Sequence, residues 1–224
     1  LYYFVKLLLV IYNKCMSVLS EKHKKVLKYL VDTFDNAGIL FQATSGLAAN
    51  VYGSSRSLYD IDIDVYKKDI PKAQELFRKH VVSDFVHEQN ESFDLYEFTL
   101  KIDGVTVDVS QAEESYAIGK DGTKILVMND IKNASKHTFE GIAFRVLDKG
   151  QLVRYKTHVA RSTDLSDVKE ITALASKVHI YIDGNNLYRG AKELGFTIDY
   201  KKFRGWLRQK YNPTSVYLYH RSCS

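Results

Sequence analysis

Three aspartates at alternate positions, Asp60, Asp62 and Asp64, are the residues of this 224-residue chain whose type and spacing point most directly to chemistry. They interleave with Ile61, Ile63 and Val65. Residues two apart on a strand face the same way. A strand over 59–66 therefore sets the three carboxylates on one face and the three apolar side chains on the other. Neighbouring carboxylates repel, so lining them up costs energy unless a cation or solvent offsets it. Hard oxygen ligands of this kind suit Mg2+ or Mn2+, which bridge carboxylates and substrate phosphates. The alternation by itself is equally that of an edge strand with a solvated acidic face, so the residues before it decide its meaning.

Those residues are Thr44-Ser45-Gly46, then the small-residue run Leu47, Ala48, Ala49 and Val51 closed by Gly53, then Arg56 shortly before Asp60. Taken together, 45–53 and 56–62 resemble the nucleotidyltransferase superfamily, nearest to its branch of abortive-infection toxins and lincosamide-type antibiotic adenylyltransferases. In that family a strand enters a Gly-Gly or Gly-Ser turn, a helix follows, and an Asp-x-Asp strand returns. The resemblance implies an α/β chain: an α+β nucleotidyltransferase fold with a mixed sheet. It also implies that Asp60 and Asp62 are catalytic metal ligands and that Ser45, Gly46 and Arg56 bind the nucleotide. Small residues let backbone approach a triphosphate, and amides at a helix start welcome its charge. The turn here is Thr44-Ser45-Gly46 where the family carries a double glycine, so a side chain occupies its first position.

The family's third carboxylate lies on a later strand. Asp108 matches it, in the run Val105 to Val109 after the hairpin signal Asp103-Gly104; Glu97 is the runner-up. Gln151 to Lys156 and Arg161 to Asp167 look like the closing helices, with Lys156 and Arg161 as phosphate contacts. The activity implied is metal-dependent transfer of a nucleoside monophosphate from an NTP to a hydroxyl on RNA or tRNA, protein or a small molecule. The toxin branch adds a cognate antitoxin as a partner. A nucleotide-binding module without turnover is the non-enzymatic alternative.

Several elements must position these residues. Val26, Leu27, Leu30, Val31 and Phe34 recur at helical spacing over 20–37, closed by Gly38. A short strand at 39–43 leads into a helix at 45–52. Asp69-Ile70-Pro71 opens a helix to about 80, with Asp69 as its capping carboxylate. Strands are expected at 81–86, 93–102, 105–109, 124–128 and 142–146, and helices at 150–159 and 164–174.

At Lys177 the texture changes, and a domain boundary is placed near Ser176, giving a nucleotidyltransferase-like domain over 16–176. The strand-like VHIYID, then Gly184-Asn185-Asn186 and helices at 187–194 and 201–210, lead to a strand at 216–219. Residues 177–224 resemble the start of an NYN domain, a PIN-like ribonuclease unit, which makes an NYN-type ribonuclease with a nucleotidyltransferase-like regulatory domain the alternative function. That implies Asp183 as a first metal ligand with Asn186 beside it. Such a site needs carboxylates from later strands, and the ones that follow, Glu193 and Asp199, are not placed like strand ligands. The unit is therefore read as truncated and catalytically silent, and Asp183 to Asn186 can equally be a turn of αL-tolerant residues.

The bulk numbers agree with a globular chain: 45% hydrophobic, 26% charged, net charge +5 and pI near 8.9. The basic excess suits an anionic partner such as nucleotide or RNA. Cys15 and Cys223 allow neither a disulfide framework nor a zinc set, which points to a reducing cytoplasm. The apolar run at 1–12 is interrupted by Lys6 and is too short to span a membrane. Met16 reads as a natural start, with 1–15 as an upstream extension.

Overall fold

The computed structural model describes residues 19–127, 129–175, 179–211 and 215–219. The expectations for 1–15, for Met16 and for the boundary at Ser176 lie outside those residues. The chain separates into two compact units, Leu1–Val168 and Lys169–Ser224.

In the first unit, α1 (Glu21–Ala37) is closed at both ends as its sequence requires. The Ser20 hydroxyl accepts from His23 N, and Gly38 takes the left-handed conformation at φ 67°. Its apolar stripe, Val26, Leu27, Leu30, Val31 and Phe34, is buried. Phe34 packs against Phe41 and Phe77 with ring centroids 5.0 and 5.2 Å apart. Then follow β1 (Phe41–Ala43), α2 (Ser45–Val51), β2 (Asp60–Val65) and α3 (Ile70–Leu76). The capping role expected of Asp69 is not found. A 3-10 turn over Lys67–Asp69 runs directly into α3, and the Asp69 side chain makes no capping bond. With its backbone already in the right-handed helical region, Asp69 cannot take the extended N-cap conformation. A second 3-10 turn, Arg78–His80, replaces the expected end of that helix.

The main sheet continues with β3 (Val81–Gln89), β4 (Phe93–Ile102), β5 (Val105–Gln111), β6 (Tyr116–Ile118) and β7 (Lys124–Leu126). Its order is β1-β2-β5-β4-β6-β7, with β3 also paired to β4. The β2–β5 pair is parallel and the others are antiparallel, so the sheet is mixed. Asp103 and Gly104 join β4 to β5 with φ of 50° and 83°, the positive values that tight hairpin turns demand. Ile61, Ile63, Val105, Val107 and Val109 are all buried, forming the apolar side of the sheet.

A separate hairpin, β8 (Lys136–Phe139) and β9 (Ile142–Arg145), precedes α4 (Lys149–Val159) and α5 (Ser162–Ala175). Neither β6 nor β8 was expected. Each has only three or four residues, too few to show a period, and each exists through its partner: β6 through β4 and β7, β8 through β9.

In the second unit, β10 (His179–Asp183) pairs in parallel with β11 (Ser215–Tyr219), linked by α6 (Gly184–Glu193) and α7 (Tyr200–Tyr211). Gly184 to Asn186 form the first turn of α6 rather than a loop before it. Among the described residues, no helix is long and apolar enough to cross a membrane.

Candidate active site

Parallel pairing of β2 with β5 sets Asp60 against Thr106, Asp62 against Asp108 and Asp64 against Ser110. Side chains at paired positions share a face, so Asp108 joins the aspartates of β2. The carboxylates of Asp60, Asp62 and Asp108 offer ligand oxygens all within 4.8 Å of one another. Each is half-buried. The structure thus brings these three expected residues together.

Asp64 does not join them. Although it shares their face, it is 4% exposed and turned to Gln42, whose Nε2 donates to it at 3.1 Å. Gln42 faces Asp64 across β1–β2, and the same Nε2 also donates to Asn129. The alternation therefore contributes two members to the cluster and one to a buried polar network. Glu97, the runner-up, lies on β4 opposite Ser110, which donates to it at 3.2 Å. It borders the cluster outside the close triad.

The electrostatics follow from this crowding. Burial, then repulsion from Asp60 and Asp108, pushes Asp62 up to about 8, against a hydrogen bond from Ser45. Burial and the Asp108 charge raise Glu97 to about 7. Burial raises Asp64 to about 7 despite Gln42. Asp108 is raised as well, chiefly by burial, while Thr99 Oγ1 donates to it at 2.8 Å. Such a face holds protons near neutrality. Three converging carboxylates are a hard-oxygen donor set that fits Mg2+ or Mn2+.

The turn between β1 and α2 is built tightly. Ser45 has a φ of 48°, in the region glycine favours, and its side chain hydrogen-bonds Asp62. That hydroxyl is engaged with the carboxylate. Thr44 hydrogen-bonds the buried Tyr155. A Cβ at Gly46 would stand 2.8 Å from Arg56 Nη2 and 2.9 Å from Leu58 Cδ2, so one of those side chains would have to shift. Asn50 staples the following loop by donating to the carbonyls of Ser54 and Arg56, each at 2.9 Å.

Lys156, expected as a phosphate contact, lies inside the fold. It is 1% exposed and paired to Asp164 at 2.8 Å and Asp167 at 3.0 Å. Aspartates three apart on α5 face the same way and meet it together. Burial works against its charge, yet Tyr155 and the two aspartates hold its pKa above the ordinary value. Arg161 is the more open group, with its side chain 44% exposed, paired to Asp164 at 2.7 Å and lying 5.0 Å from the centre of the Phe93 ring. Sequence reasoning assigned no part to Asn50, Thr99 or Tyr155. Tyr155 meets Thr44 only in the folded chain, whereas Asn50 and Thr99 bond within their own loop and hairpin.

In the second unit, Asp183 ends β10 and caps α6, accepting from the backbone N–H of Asn185 and Asn186. The Asn186 side chain donates to its other oxygen at 2.9 Å. Asp199 accepts in the same way from Lys201 and Lys202.

Comparison with solved structures agrees with the geometry of the first unit. A candidate nucleotidyltransferase from Thermotoga maritima superposes with a TM-score of 0.54 at 18% identity, over 70% of this chain and 96% of that one. The chain has a nucleotidyltransferase fold. The lincosamide antibiotic adenylyltransferase LnuA, bound to lincomycin, matches with a TM-score of 0.47 at 18% identity over 69% of this chain and 97% of that one. ANT(2")-Ia with adenylyl-2"-tobramycin matches with a TM-score of 0.44 at 13% identity over 67% and 88%. No protein-family model matches the chain. No curated protein matches it.

Proposed function

We propose that the first unit is a metal-dependent nucleotidyltransferase that moves a nucleoside monophosphate from an NTP to a hydroxyl acceptor. The observation that carries this reading is the convergence of Asp60, Asp62 and Asp108 from two adjacent parallel strands, within 4.8 Å, in a fold of this kind. These carboxylates would hold Mg2+ or Mn2+, which supplies charge neutralisation at the transferring phosphate. The chain's own residues do the rest. Ser45 orients Asp62. Thr99 fixes one oxygen of Asp108, leaving the other to accept the acceptor's hydroxyl proton. The acceptor oxygen then bonds to the α-phosphorus, and the bond to the β-phosphate oxygen breaks to release pyrophosphate. Arg161 and Arg56 offer donors to the phosphates. Small molecules, RNA ends and protein side chains are the acceptor classes to screen.

The test is transfer of label from an α-labelled NTP across those acceptors with Mg2+ or Mn2+. Asp62→Asn should abolish transfer while circular dichroism stays native; near-normal turnover in that variant would sink the mechanism.

The NYN-type reading of residues 177–224 draws on the parallel β10–β11 crossover with Asp183 at a strand end. Because that carboxylate is committed to capping α6, we expect the unit to leave RNA intact in Mg2+ or Mn2+. Cleavage that disappears in Asp183→Asn would reverse that assignment.

A further inference from the structure

Lys156 is sealed from solvent, yet both of its partners reach outward to arginines. Asp164 takes Arg161 at 2.7 Å, and Asp167 takes Arg56 at 3.4 Å together with the Ser54 hydroxyl at 2.7 Å. The two aspartates are fully buried, whereas the side chains of Arg161 and Arg56 are 44% and 26% exposed. Both arginines border the carboxylate site. Arg161 feels the charge of Asp62. Arg56 Nη2 lies 2.8 Å from where a Gly46 Cβ would stand, next to the Ser45 that hydrogen-bonds Asp62.

The charge count gives the lysine a role beyond packing. The two aspartates would by themselves cancel the two arginines. Lys156 adds a third cation, so the five groups carry one positive charge in excess. The inner three groups are buried, so the excess is expressed at the guanidiniums. Planar guanidiniums suit phosphate oxygens through paired hydrogen bonds.

We infer that Lys156 is a positioning residue. It anchors Asp164 and Asp167 so that Arg161 and Arg56 form a two-armed, net-positive clamp on the polyphosphate of a nucleotide seated at Asp60, Asp62 and Asp108. This inference rests on the nucleotidyltransferase reading. Lys156 itself touches no substrate.

The experiment is calorimetric titration of the full chain, with Mg2+ and without acceptor, using each of the four ribonucleoside triphosphates and its monophosphate. The wild type should prefer triphosphate. Lys156→Met should weaken triphosphate binding about tenfold or more and leave monophosphate binding unchanged. Lys156→Arg, which keeps the charge, should retain the preference. Adding Asp167→Asn to Lys156→Met restores the charge count and should recover part of it. A lysine that only supports the fold would weaken both nucleotides alike, leaving their ratio intact, and that result overturns the clamp. Should Lys156→Met fail to fold, Arg161→Gln and Arg56→Gln leave the lysine's ion pairs in place. Each must lower the ratio, and an unchanged ratio in either also overturns it. A wild type that binds none of the four triphosphates sinks the nucleotidyltransferase reading and the clamp together. Tight wild-type binding with unaltered variants sinks the clamp alone.

Discussion

Asp62 shows how a fold resists the charge of one of its own residues. Its pKa of about 8 stands above the ordinary 3.8 because burial and two neighbouring carboxylates oppose its charge. The unfolded chain therefore loses this proton near pH 4, while the folded chain keeps it until about pH 8. Over that window the unfolded state binds fewer protons, so the stability Asp62 contributes is present in acid and is lost as pH rises. In chelator-treated protein, Asp62→Asn should raise the melting temperature at pH 8 and give a smaller gain at about pH 5. An equal gain at both values would show that crowding does not set this ionisation. Gly46 makes a separate case: Gly46→Ala pushes a Cβ into Arg56 and the buried Leu58. It should cost about 1–3 kcal/mol in chemical denaturation.

At the scale of elements, the site depends on register. Asp108 meets Asp62 because β5 pairs with β2 in parallel, and it receives Thr99 because β4 returns through the Asp103-Gly104 turn. A slip by one residue would turn Asp108 to the apolar side and Val107 or Val109 into the site. Gly104 has a φ of 83°, which an alanine adopts at a cost of about 1–2 kcal/mol. Gly104→Ala should therefore lower stability by that amount in urea. It should leave transfer activity largely intact, because burial of Phe98, Leu100 and Val107 independently holds the register. Activity lost out of proportion to stability would show that the turn alone sets the pairing.

For the molecule as a whole, the first unit sets an acidic, proton-holding face beside a cluster with one positive charge to spare. A divalent cation that binds only the folded chain stabilises it by mass action, about 2.7 kcal/mol at a hundredfold excess over Kd. Mg2+ or Mn2+ should raise the wild-type melting temperature at pH 8, and less at pH 6, where protons compete for the carboxylates. The double variant Asp60→Asn, Asp62→Asn should show no such rise. A metal response that survives in it would place the cation elsewhere.

The sequence by itself determined many of the local elements, though not β6 or β8. Ser20 and Gly38 bound α1, Asp103-Gly104 turns the hairpin, and the alternation of aspartate with isoleucine makes β2 two-faced; each signal lies within a few neighbouring residues. Asp60, Asp62 and Asp108 are singled out by the family resemblance that the residues before β2 carry, since the alternation alone equally fits a solvated edge strand. Only the tertiary structure decided which of these carboxylates converge. Asp64 follows the same alternation as Asp62, yet β1 delivers Gln42 to it and closes it off. Lys156 is read from the sequence as a phosphate contact, yet α5 brings two aspartates to it. Local pattern records the direction a side chain leaves its own backbone. Whether it meets solvent, a proton, a metal or a counter-charge depends on chain segments far away in sequence, whose arrival is a property of the packed fold.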